Sequence, residues 1–118
     1  MCVVKTRPQE KKMPLVSSFS ADKDKYTPIL KPPASVLMRS GFVQLAVGQE
    51  IGRHSTEDNE EMLIILKGRG NVEIEGYPLL KVKGGKIAYV PPRTYHNVSN
   101  TGSAMLKYIF VVSKAIGK

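Results

Sequence analysis

No stretch of this chain carries apolar residues at helical spacing over the length of a helix. Short apolar or alternating runs follow one another instead, at 36–38, 42–47, 61–66, 72–75, 78–82, 86–90, 95–99 and 105–112. Each is closed by turn-forming residues such as Gly68-Arg69-Gly70, Glu75-Gly76-Tyr77, Lys83-Gly84-Gly85 and Asn100-Thr101-Gly102. Runs of three to eight residues at this spacing predict strands, and a full set of them predicts an all-β sandwich or barrel. Within 72–75 the alternation is clean, so Val72 and Ile74 are expected to face the core and Glu73 and Glu75 the solvent. The nearly continuous apolar run from Glu61 to Leu66 predicts a strand covered on both faces, either by another layer or by a partner subunit.

The first 33 residues differ. They hold Pro8, Pro14, Pro28, Pro32 and Pro33, few periodic apolar positions and mixed charges such as Asp22-Lys23-Asp24-Lys25. This composition predicts an irregular N-terminal arm over 1–33, with at most a short helix or turn, ahead of one barrel domain over 34–118. A chain of 118 residues suits a single core. Its apolar runs are too short for a membrane-spanning helix. The basic segment from Lys5 to Lys12 precedes no apolar stretch, so no cleaved secretory leader is expected. Cys2 is the one cysteine, which excludes an intramolecular disulfide and a cysteine-based zinc site. A cytoplasmic protein is expected.

The formal net charge is +8. A surplus of this size raises the question of nucleic acid. Residues 1–31 contribute half of it and residues 32–118 the other half, with no arginine-rich block, so a basic solvated surface is the expectation and nucleic acid is not an expected partner. One local exception is acidic: Glu57, Asp58, Glu60 and Glu61 fall within five positions.

The two histidines, His54 and His96, lie near predicted strand ends on different hairpins. Gly48, His54, Thr56, Glu61 and Gly68 keep the spacing G-x5-H-x-H-x(3,4)-E-x6-G, with Thr56 at the second histidine. Gly85, Pro91, Arg93, His96 and Asn100 keep the spacing G-x5-P-x-G-x2-H-x3-N, with Arg93 at the middle glycine. In these two motifs, in this order, the chain resembles the cupin superfamily. The resemblance implies a small double-stranded β-helix, or jelly-roll, barrel. It also implies that His54, Glu61 and His96 ligate one metal ion, the fourth family position being lost to Thr56.

The residues agree with that implication. His54 and Thr56 are two apart and share a strand face. A strand returning from the acidic loop sets a carboxylate opposite, with Glu61 sharing parity with Leu63 and Ile65 and Glu60 opposing it. Two imidazoles and a carboxylate form a facial triad with open positions, suited to Fe(II) and also acceptable to Mn, Zn or Ni. The Thr56 hydroxyl is expected to hold a water beside the ion. Arg93 either reaches over the barrel mouth to an anionic substrate or pairs with Glu57 and Asp58. Gln44, an amide in an apolar strand, is a candidate cavity residue. Tyr89 and Tyr95 are candidates for its rim, while Tyr108 and Phe110 read as core packing.

Two functions remain open at this point. One is a metalloenzyme acting on a small molecule, as a dioxygenase with Fe(II) or as a Lewis-acid isomerase with Zn or Mn. The other is a non-catalytic small-molecule-binding or sensing barrel, with or without metal. No catalytic acid or base beyond the triad can be named, and a homodimer is expected from the family resemblance.

Overall fold

A computed structural model describes residues 12–19 and 25–115. Nine strands follow one another: β1 (Tyr26–Leu30), β2 (Arg39–Leu45), β3 (His54–Ser55), β4 (Asn59–Lys67), β5 (Arg69–Ile74), β6 (Leu80–Lys83), β7 (Ile87–Val90), β8 (Tyr95–Ser99) and β9 (Leu106–Lys114). They form two antiparallel sheets, one in the order β1-β2-β9-β4-β7 and the other β3-β8-β5-β6. No helix occurs among the described residues, so none is long and apolar enough to cross a membrane. This is the all-β jelly-roll barrel that the motif spacing implies.

Period-two alternation builds the core. Val43 and Leu45 from β2, Leu63 and Ile65 from β4, and Leu106 and Tyr108 from β9 face inward from the first sheet. Val72, Ile74, Val82 and Val98 meet them from the second. Glu73 and Glu75 are exposed, as the alternation predicts.

The chain crosses between sheets at Gly68, the single residue between β4 and β5. Its φ is +89°, and a Cβ there would stand 2.5 Å from the Met105 carbonyl oxygen. Both the left-handed backbone and the close approach require glycine, which explains the last position of the first motif.

Two expectations need correction and a third is narrowed. Residues 26–30, assigned to the arm, form β1, which pairs with β2 from Tyr26↔Val43 to Leu30↔Ser40. Pro28 argued against a strand, but β1 is an edge strand with an irregularity between Pro28 and Leu30, where a missing N–H is tolerated. Residues 36–38 are exposed turn rather than strand, because β2 begins at Arg39 and the Ser35 hydroxyl closes onto the Met38 carbonyl. Within one chain the run 61–66 is covered on one face: Glu61, Leu63 and Ile65 are buried, whereas Met62 and Leu66 are exposed, so no second layer of the same chain covers the other face. Residues 1–11 and 20–24 of the arm lie outside the described residues.

Candidate metal centre

β4 carries Glu61 on its inner face, in register with Val90 of β7 on one side and Val112 of β9 on the other. The facing sheet carries His96 on β8, whose inner-face neighbour is Val98. Sheet packing brings the two side chains together across the barrel, with His96 Nε2 3.0 Å from Glu61 Oε1. Both are buried, at 1% and 8% exposure. His96 Nδ1 lies 3.1 Å from the Thr94 carbonyl oxygen. A carbonyl only accepts, so Nδ1–H is the donor, and in the neutral ring Nε2 presents its lone pair to the carboxylate. Two acceptors at that distance require a proton or a cation between them. Burial disfavours the imidazolium. The Glu61 hydrogen bond, the Thr94 hydrogen bond and the charge of Glu61 outweigh it, and hold the His96 pKa above its usual 6.5.

His54 is the register partner of His96 between β3 and β8. The two rings lie 4.3 Å apart between centroids, tilted by 56°. His54 Nδ1–H donates to the Gly52 carbonyl over 2.7 Å, which leaves Nε2 as the free donor atom for a metal. The loop that carries it is fixed: Gly52 N–H donates to Asn97 Oδ1 over 2.9 Å, Asn97 donates to Glu50, and Ile51 N–H donates to the Val98 carbonyl.

Ligand atoms of His54, Glu61 and His96 all lie within 4.8 Å of one another. Some point is therefore within about 2.8 Å of all three, against metal–ligand bonds of about 2.0–2.2 Å, so small side-chain rotations suffice to close on an ion. Both rings are oriented by Nδ1–H bonds to backbone carbonyls, the support that metal-ligating histidines characteristically have. The donor set fits a divalent metal.

The cluster opens on a cavity of about 280 Å³. Val43, Ile51, Val98, Phe110 and Val112 give it apolar walls, and Thr56, Asn59 and Tyr108 add polar groups. Tyr26 of β1 also lines it, stacked on Phe110 at 5.6 Å between centroids. The pair lies over Gly41, where a Cβ would stand 2.4 Å from the Tyr26 ring and 2.7 Å from that of Phe110. A glycine inside a strand marks such a close approach, and Gly41 was the signal from which an aromatic neighbour could have been read.

The profile of the family described as "Cupin domain" matches residues 41–112. The chain belongs to this family. As a cupin it is 35% identical over 63 residues to an uncharacterized protein of Methanocaldococcus jannaschii, covering 53% of this chain and 50% of that one. It thus spans about half the length of this curated relative. An RmlC-like cupin family protein with a double-stranded β-helix fold, also from M. jannaschii, superposes with a TM-score of 0.71 at 22% identity, over 89% of this chain and 94% of that one. A protein described as a predicted oxalate decarboxylase of Thermotoga maritima superposes with a TM-score of 0.61 at 25% identity, over 64% of this chain and 65% of that one.

The departures of this cupin from the family motifs have structural answers. Thr56 is buried and lines the cavity, and its hydroxyl already has two protein partners. It donates to the Pro91 carbonyl over 2.6 Å and accepts the Thr94 N–H over 3.1 Å, tying the acidic loop to the turn before β8. Arg93, at the motif glycine, keeps a left-handed backbone with φ 53°. Its guanidinium pairs with Asp58 at 3.1 Å on the exposed surface, and it does not line the cavity. Of its two readings, the acidic loop holds.

Gln44 is also corrected. Val43 and Leu45 face the core, so Gln44 lies on the opposite face of β2 with Phe42, which packs against Phe19, and it does not line the cavity. Tyr89 and Tyr95 do not line it either: Tyr89 donates to Glu60 over 2.8 Å and Tyr95 lies under the Arg53 guanidinium. That bond also places Glu60 on the outer side, away from the histidines. Asn100, the last residue of the second motif, is structural. Its amide donates to the Leu45 and Ala104 carbonyls and accepts the Gly102 N–H.

Proposed function

We propose that this cupin binds one divalent metal ion through His54, Glu61 and His96 and acts on a small molecule in the adjoining cavity. One observation carries the reading: two rings whose Nδ1–H groups are committed to backbone carbonyls stand beside a buried carboxylate from the opposite sheet, His96 Nε2 bonded to it and ligand atoms of all three residues within 4.8 Å of one another. Fe, Mn, Zn and Ni all accept this donor set. When bound, the ion supplies Lewis acidity, or with iron also redox chemistry, which corresponds to isomerase-type or dioxygenase-type function. The residues do the rest. Gly52 and Thr94 carbonyls orient the rings, the valine walls supply apolar contact, and His54 is the solvent-exposed member of the three.

The reaction in the name of the Thermotoga protein, decarboxylation of a dicarboxylate, is not adopted. No Lys or Arg lines this cavity among the described residues, so a second carboxylate would have no cationic partner there.

A second reading has its own support. His96 and Glu61 already satisfy one another, as a metal-free binding or sensing barrel would require. Metal analysis of protein purified without a histidine tag decides between them. About one equivalent after reconstitution, lost in Glu61→Ala and His96→Ala, supports the metal centre; less than a tenth of an equivalent supports the metal-free barrel.

Two further assignments accompany this reading. The outer face of β4 and β7 pairs Met62 with Tyr89 and Ile64 with Ile87, and β7 ends its sheet. This apolar edge suits a homodimer, for which sedimentation should give twice the chain mass and Ile87→Glu the monomer. A single cysteine suits the reducing cytoplasm.

A further inference from the structure

Tyr108 stands on β9 between Val43 of β2 and Ile65 of β4, with 2% exposure. Its side chain lines the cavity, yet its hydroxyl has no hydrogen-bond partner among the described residues. Buried tyrosine hydroxyls ordinarily find one. Nor is the oxygen sealed in protein, because the Thr27 hydroxyl alone among the described residues is both sealed and unpartnered. The phenol therefore opens on the cavity. Burial, then the charge of Glu61, push its pKa far above the ordinary tyrosine value, so it stays a donor throughout the physiological range.

The surroundings define what it would donate to. Val112, the register partner of Glu61, lies four residues along β9 from Tyr108 on the same face. The phenol and the histidine–carboxylate cluster thus occupy separate points of the cavity, whose remaining lining is mainly apolar with Thr56 and Asn59 as further polar groups. The cavity, at about 280 Å³, exceeds the ~150 Å³ that admits a benzene ring. No Lys or Arg lines it among the described residues, and a His96 imidazolium is already neutralised by Glu61, so an anion finds no free cationic side chain there.

We propose that Tyr108 is a specificity-determining residue whose hydroxyl donates to the oxygen of a small, neutral, mainly apolar ligand of about one ring, such as a cyclic ketone. This rests on the reading of the cavity as a small-molecule site and does not require the metal. Because the side chain is already ordered, the bond forms without the loss of rotamer freedom that an exposed donor would suffer.

The test is an NMR titration of the full chain, metal-free and zinc-loaded, with cyclohexanone, toluene and benzoate as probes. Cyclohexanone should bind more tightly than toluene or benzoate, and Tyr108→Phe should weaken it about fivefold while changing toluene by less than twofold. Retained toluene binding shows that the variant cavity is intact. Wild-type protein labelled at tyrosine Cζ gives a readout independent of any variant: the Tyr108 resonance should move with cyclohexanone and hold still with toluene. Equal cyclohexanone affinity in Tyr108→Phe, an unmoved Tyr108 resonance, or tighter binding of benzoate than of cyclohexanone to the metal-free protein overturns the proposal. If zinc fails to bind while the ketone still depends on Tyr108, the metal reading falls and this one stands.

Discussion

His96 Nε2 and Glu61 Oε1 meet at 3.0 Å across the barrel, one from each sheet, with a proton or a cation required between them. Proton and metal therefore compete for the same position, and they give opposite pH dependences. The raised pKa of His96 means that the pair's contribution to stability is complete below the unfolded value of about 6.5 and is lost as pH climbs through the folded value. Metal-free protein should melt at progressively lower temperature across that window. Metal affinity should instead fall as pH drops, beginning above 6.5 because the bound proton must leave. Thermal melts and metal titrations between pH 5.5 and 8.5 check both, and loss in Glu61→Gln of the fall in melting temperature with rising pH ties it to this pair.

Thr56→Val keeps the shape of the side chain but removes both of its hydrogen bonds. The Thr94 N–H, in a part-buried turn, then loses its acceptor. A loss of about 1–3 kcal/mol in urea unfolding is expected. The same variant should weaken metal binding, since Thr94 also orients His96 through its carbonyl.

Gly41→Ala introduces a Cβ into the stacked pair of Tyr26 and Phe110, with contacts far shorter than packed carbons allow. Overpacking of this kind costs about 1–3 kcal/mol. Tyr26 belongs to an edge strand and is the freer of the two, so it should be displaced from the cavity. Chemical denaturation measures the loss, and the tyrosine near-ultraviolet circular dichroism reports the displaced ring.

Arg93→Gly sets two effects against each other. The exposed ion pair with Asp58 contributes about 0–1 kcal/mol. A non-glycine residue in the left-handed region costs roughly 1–2 kcal/mol, part of which glycine gives back through its freer unfolded chain. The balance favours glycine slightly. The urea midpoint should stay within about 1 kcal/mol of the wild type, on the side of greater stability.

Much of this protein was legible along the chain, because strand parity and motif spacing are local. Val72 and Ile74 could be assigned inward, Glu61 could be preferred to Glu60, and the two histidines could be set on separate hairpins. Proline at position 28 misled, since the same residue is forbidden in a central strand and tolerated at an edge, and sequence does not say which strand is outermost. Gln44 misled for a related reason: its parity was readable but not which face of β2 looked inward.

Sequence by itself determined the all-β architecture, the family, and the side chains available as ligands, all of which follow from patterns a few residues long. Only the tertiary structure decided that the Thr56 hydroxyl ties Pro91 to Thr94, that Tyr26 returns to the cavity, and that the Tyr108 phenol faces it unpartnered. Those facts depend on how two sheets close over one another, and the distances across that closure join residues tens of positions apart.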